Sequence, residues 1–120
     1  MADRVLFIGW GAGVPGREER GLEVFNEVIG LYGRMQGDGR IESFDVALLD
    51  PNSDLAGYIA LHGSGQQLAA VREDAEFRRS LVSASLIVEG LRVIDGFTND
   101  GISRELELYQ EAVSKVPQTA

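Results

Sequence analysis

The chain predicts an α+β fold, a four-stranded antiparallel sheet laid down in the order βαββαβ with two helices on one face and an extra C-terminal helix. Three observations carry that expectation. The stretch Arg4–Trp10, RVLFIGW, is apolar in both of its alternating sets, Val5/Phe7 and Leu6/Ile8/Trp10, and so reads as a strand covered on both sides. Two longer segments carry apolar residues at helical spacing. Between them, Asp50-Pro51-Asn52-Ser53-Asp54 is a dense turn signal that joins two central strands as a hairpin.

Taken in order, the first strand runs into Gly9-Trp10-Gly11-Ala12-Gly13-Val14-Pro15-Gly16, a loop closed by Pro15 and Gly16 near a helix start. From Arg17 to about Gln36, Leu22, Phe25, Val28/Ile29, Tyr32 and Met35 recur at spacings of three and four, which predicts one buried helical stripe. Gly37-Asp38-Gly39 ends it. Ile41–Asp50 reads as the second strand and Leu55–His62 as the third. Ser64-Gly65 opens a second helical region with Leu68, Val71, Phe77, Leu81 and Ala84 on its apolar face and a bend near Asp74. Leu91–Phe97 is the fourth strand. Asn99 or Asp100 caps a last helix, over about 100–116, whose stripe is Ile102, Leu106, Tyr109, Val113 and Val116.

A strand–helix–strand unit crosses over right-handed and the hairpin sets the third strand beside the first, so the predicted spatial order is 4-1-3-2. Two helices cover one face of RVLFIGW. The terminal helix is too small to cover the other, and a second copy of the sheet is the economical cover. The expected partner is therefore the chain itself, a homodimer through the open sheet face.

The 120 residues make one domain, with a core over 4–98. A net charge of −8 argues against a nucleic-acid or anionic-membrane surface, which need clustered Lys and Arg. No cysteine is present, which excludes disulfides, thiolate metal sites and a Cys nucleophile. No apolar run approaches the ~20 residues that span a bilayer, and Met1–Arg4 leads straight into a strand without an apolar signal core. The expectation is a cytoplasmic protein without a cofactor.

Four motifs carry candidate chemistry. Gly11-Ala12-Gly13-Val14-Pro15-Gly16 satisfies G-x-G-x-x-G between a strand and a helix. Pro15, however, removes one N–H from the anion nest, and Glu18 and Glu19 fill the first turn where a phosphate would sit. It reads as a turn capping the sheet. Asp50-Pro51-Asn52-Ser53-Asp54 imitates the start of a calcium loop, but Leu55 and Leu61 stand where Gly and Glu are required, and it reads as a hairpin turn. His62, the only histidine, ends the third strand near Asp45 and Asp95. A carboxylate orienting its imidazole makes a workable general base, while the plainer reading is a strand-end His with a structural hydrogen bond. Trp10 and Tyr58 fall at the opposite end of the sheet, where small Ala56 and Ala60 leave room for a small organic ligand. The same small residues would equally let a second layer pack close.

The βαββαβ order, the Pro15-Gly16-Arg17-Glu18-Glu19 lead-in to the first helix and the Leu68…Arg72-Glu73-Asp74-Ala75-Glu76-Phe77 run resemble the dimeric α/β-barrel superfamily of ferredoxin-like proteins, over about residues 4–98. The resemblance implies a ferredoxin-like subunit and a dimeric barrel. The superfamily spans cofactor-independent monooxygenases, haem-degrading enzymes, lactone isomerases and ligand domains of transcription regulators. Some small members carry a His–Asp pair with the His on the first helix; this chain has none there, so no catalytic residue carries over. Three functions follow as expectations. The first is a homodimer binding a small apolar or aromatic molecule in a sheet–helix cavity, shaped by Trp10, Tyr58 and Phe97. The second is a cofactor-independent monooxygenase- or isomerase-type enzyme with His62 as its catalytic acid/base. The third is a structural or partner-binding dimer with a filled core.

Overall fold

The computed structural model describes residues 2–117 and 119. Strand β1 (Arg4–Trp10) leads to helix α1 (Glu18–Gly37), then to the hairpin β2 (Ser43–Leu48) and β3 (Gly57–Gly63). Helices α2 (Gly65–Glu73) and α3 (Ala75–Ser85), strand β4 (Arg92–Phe97) and helix α4 (Asp100–Val113) follow. The sheet order is β2-β3-β1-β4, all neighbours antiparallel, which is the 4-1-3-2 arrangement read from the other edge. The sheet of the single chain is open and does not close into a barrel.

β1 and β3 take the two inner places of the sheet, and β1 is apolar on both of its sides. Its Leu6 and Ile8 are buried toward the helices, and opposite them on β3 lie Leu61 and Ile59. α1 lays Leu31, Tyr32 and Met35 on that layer, α2 adds Leu68 and Val71, and α3 adds Phe77. Tyr32 joins the parts, with Phe44 edge-on at 6.0 Å and Phe77 at 6.4 Å. Burial pushes its phenol pKa well up, with the Ser80 hydroxyl beside it pulling the other way.

The expected bend near Asp74 is a full break into two helices. Asp74 is extended at φ −68° and ψ 130°, and its carboxylate accepts the N–H of Phe77 at 2.9 Å as the N-cap of α3. Ser64 and Gln67 form a reciprocal capping box on α2. The hairpin turn is organised by Asn52, whose Oδ1 accepts the N–H groups of Asp54 and Leu55 at 2.9 and 2.8 Å. β2 and β3 are each shorter than expected at the turn side, beginning or ending where this Asn52 network takes over from the ladder.

The other face of the sheet carries Val5 and Phe7 of β1, Tyr58, Ala60 and His62 of β3, and Ile94 of β4. Phe7 stacks on Tyr58 at 5.3 Å, and Ile94, opposite Phe7 across the ladder, is 52% exposed. Among the described residues no element lies over this surface as a layer.

Candidate functional site

The glycine loop after β1 is pinned, not free. Gly11 N–H donates to Glu89 C=O at 2.7 Å, Glu89 N–H to Ala12 C=O at 2.8 Å and Val14 N–H to Ile87 C=O at 2.9 Å. A Cβ on Gly11 would stand 2.9 Å from the Glu89 carbonyl oxygen, so glycine there serves close backbone approach. Gly16 N–H turns to the Glu18 carboxylate at 3.1 Å, which holds that acid below its ordinary range. Three amides of the loop, those of Gly11, Val14 and Gly16, are thus engaged within the chain rather than turned to a pyrophosphate.

This pinned loop closes one end of a cleft of about 580 Å³ between the sheet, α1 and α3. Trp10 and Ile8 form its floor side, Leu22, Phe25 and Val28 its α1 side, and Leu81, Ala84 and Ile87 its α3 side. Trp10 meets Phe25 edge-on at 6.2 Å. The lining is overwhelmingly apolar. Arg17 and Glu18 stand at it with hydrogen bonds of their own, the guanidinium donating to Leu86 C=O at 2.5 Å and the carboxylate accepting the Gly16 N–H. Tyr32 and Ser80 bring the hydroxyls. The volume suits a small organic molecule, and the walls offer it burial and few hydrogen bonds.

Of the candidate site residues Trp10, Tyr58, Phe97 and His62, the structure brings only Trp10 to this cleft, and Ala56, read as leaving room beside it, also lines it. Tyr58 lies at the same end of the sheet but on the opposite face, against Phe7. Phe97 lies on the helix side at the far end, where the Arg4 guanidinium sits over its ring at 4.3 Å. His62 shares the Tyr58 face, and its Nε2 is 2.8 Å from Asp45 Oδ2. Asp95, the other carboxylate weighed for it, faces the helices and pairs with Arg72 at 3.0 Å. So His62–Asp45 and the cleft are on two sides of one sheet. Among the described residues no three His, Cys, Asp or Glu side chains gather as a metal site.

Three solved structures share this architecture. A dimeric protein of unknown function with a ferredoxin-like fold from Bacteroides fragilis matches with a TM-score of 0.59 and 13% identity, over 79% of this chain and 96% of its own. The chain has the ferredoxin-like fold. A putative antibiotic biosynthesis monooxygenase from Chloroflexus aurantiacus matches at 0.53 and 14% identity, over 80% and 93%. SnoaB, a cofactor-independent oxygenase from Streptomyces nogalater, matches at 0.50 and 14%, over 82% and 93%. No family model matches the chain, and no curated protein does.

On this ferredoxin-like frame, the cleft residues that sequence reasoning passed over are Leu22, Phe25, Val28 and Leu81. All four were legible as core stripe. What hid them as a site is that a stripe records an apolar face without recording whether the opposing layer fills it. Leu22 and Leu48, both at the cleft, remain largely exposed. No helix of the described residues is long and apolar enough to cross a membrane.

Proposed function

We propose that this protein is a homodimer whose subunits each bind a small apolar or aromatic molecule in the sheet–helix cleft. The observation that carries the reading is the cleft itself, about 580 Å³ with Trp10 and Phe25 among apolar walls. The dimer is supported by Ile94, half exposed on the open sheet face beside Phe7, and by a dimeric neighbour of the same fold.

A second reading, a cofactor-independent enzyme, draws on the His62–Asp45 pair and on two neighbours described as oxygenases. With the Nε2 proton directed to Asp45, the imidazole keeps Nδ1 for a substrate. That substrate would lie on the open sheet face, between the subunits, because β3 turns His62 away from the cleft.

Trp10 is the sole tryptophan, so its fluorescence reports on the cleft alone. Titration with 1-naphthol is expected to give a saturable change at one molecule per chain. Ala84→Phe, which fills the α3 wall, should weaken binding roughly tenfold or more, and His62→Ala should leave it unchanged. Absence of a saturable change in the parent chain would overturn the cleft reading. Oxygen consumption or turnover lost in His62→Ala, with naphthol binding intact, would favour the enzyme.

A further inference from the structure

Helix α4 is fixed at its root and bare along its shaft. Thr98 N–H donates to Asp3 C=O at 3.0 Å, the Asn99 side-chain amide donates to Ala2 C=O, and Arg104 forms an ion pair with Asp3. Asn99 has φ 50°, the one non-glycine residue with positive φ among those described. Gly101 packs so tightly that a Cβ would come 2.2 Å from the Asp3 carbonyl oxygen. These contacts dictate the direction in which the helix leaves β4.

Beyond that root the helix has almost no support. Gly101 is the only buried residue in α4. Ile102, Leu106 and Tyr109 are 48%, 55% and 67% exposed, and Val113 continues the same stripe. A helix held at a defined angle with Ile102, Leu106 and Tyr109 exposed is organised for a surface outside its own subunit. The molecule is drawn out accordingly. Its radius of gyration is 17.1 Å and its long axis 55 Å, against about 14 Å expected for a compact chain of this length.

We infer that α4 is an arm for a second copy of this chain, its Ile102/Leu106/Tyr109 stripe packing on the partner at the margin of the contact between the two open sheet faces. The inference rests on the dimer proposed above. Area points to the occupant. Four strands of six or seven residues present a face of about 400 Å², roughly half of the ~800 Å² per partner in a stable contact. A helical stripe about 21 Å long adds ~200 Å². In a two-fold contact each copy both gives an arm and receives one, which brings each side close to the usual size. Charge argues against a lipid surface, since α4 carries four acidic residues and one arginine.

The decisive experiment keeps the chain at full length. Leu106→Glu with Tyr109→Glu alters only exposed positions, and circular dichroism checks that the fold survives. Sedimentation equilibrium should show a dimer for the parent and dissociation strengthened roughly a hundredfold for the variant, as two apolar anchors are lost from each half of the contact. The absence of cysteine allows a second readout. A spin label on Leu108→Cys, in copies mixed with isotope-labelled unsubstituted chain, should broaden resonances of the labelled partner. A parent dimer with neither weakening nor broadening overturns the arm and leaves the sheet-face dimer standing. Weakening without broadening also overturns it, since α4 then lies away from the partner. A monomeric parent overturns the dimer, and the arm with it.

Discussion

At position 74 one carboxylate serves two elements. Asp74 caps α3 through the Phe77 N–H and accepts from Arg40 Nη2 at 2.6 Å. The Phe77 hydrogen bond first, and Arg40 after it, hold its pKa below the ordinary 3.8. A carboxyl whose folded pKa is depressed adds stability that is complete above its unfolded value and is lost as pH falls through the folded one. Asp74→Ala should therefore cost about 1 kcal/mol of unfolding free energy at neutral pH, and the gap to the parent should close below about pH 4. Urea titrations at both pH values test this, and a gap that persists in acid would remove the carboxylate from the account. Other single residues were legible to different degrees. The pairing of His62 with an aspartate followed from register, because Asp45 and His62 end up one diagonal apart on the β2–β3 ladder. The side occupied by Tyr58 did not, because β3 alternates a small-and-aromatic set with a Gly/Ile/Leu set, and either could face a helix layer. Ile59 and Leu61 took that side by burying more apolar surface against Tyr32 and Phe77.

Among the elements, α4 shows what periodicity reads and what it omits. Its stripe was evident from Ile102 onward, yet spacing specifies a face and says nothing of what covers it. Its expected cap was also only half legible. Asn99 does stand at the N-cap, but its side chain makes no capping bond and reaches Ala2 instead. Gly101→Ala places a Cβ against the Asp3 backbone, so either the helix or the first strand must shift. The expected penalty is about 1–3 kcal/mol, read by denaturant unfolding, together with weakened self-association by sedimentation. Unchanged stability would mean that the Asp3 backbone yields. The glycine loop is the counterpart case. Its spacing imitated a nucleotide motif, while its amides were destined for Ile87 and Glu89, residues about seventy-five positions away. No local pattern announces such a partner.

For the whole molecule, strand order and direction were readable because β1 is apolar on both faces and the hairpin turn is dense in Asp, Asn and Pro. The exposed sheet face makes the assembly testable apart from the arm. Ile94→Glu changes a residue already half in water in the single chain, so the subunit should keep its stability within about 0.5 kcal/mol. In a two-fold face-to-face contact it buries two carboxylates at several kcal/mol each, and sedimentation should find a monomer. A dimer of undiminished strength would place the interface elsewhere. The position of β1 also bears on how the protein comes to exist. It pairs with β3 at residues 57–63 and with β4 at 92–97, so β1 is made well before either of its neighbours and is not flanked on both edges until residue 97 has been added. Until β3 is made RVLFIGW has two apolar faces and two unsatisfied edges, and until β4 is made it keeps one such edge, a segment that invites capture by another nascent copy or by a chaperone before its own partners emerge from the ribosome.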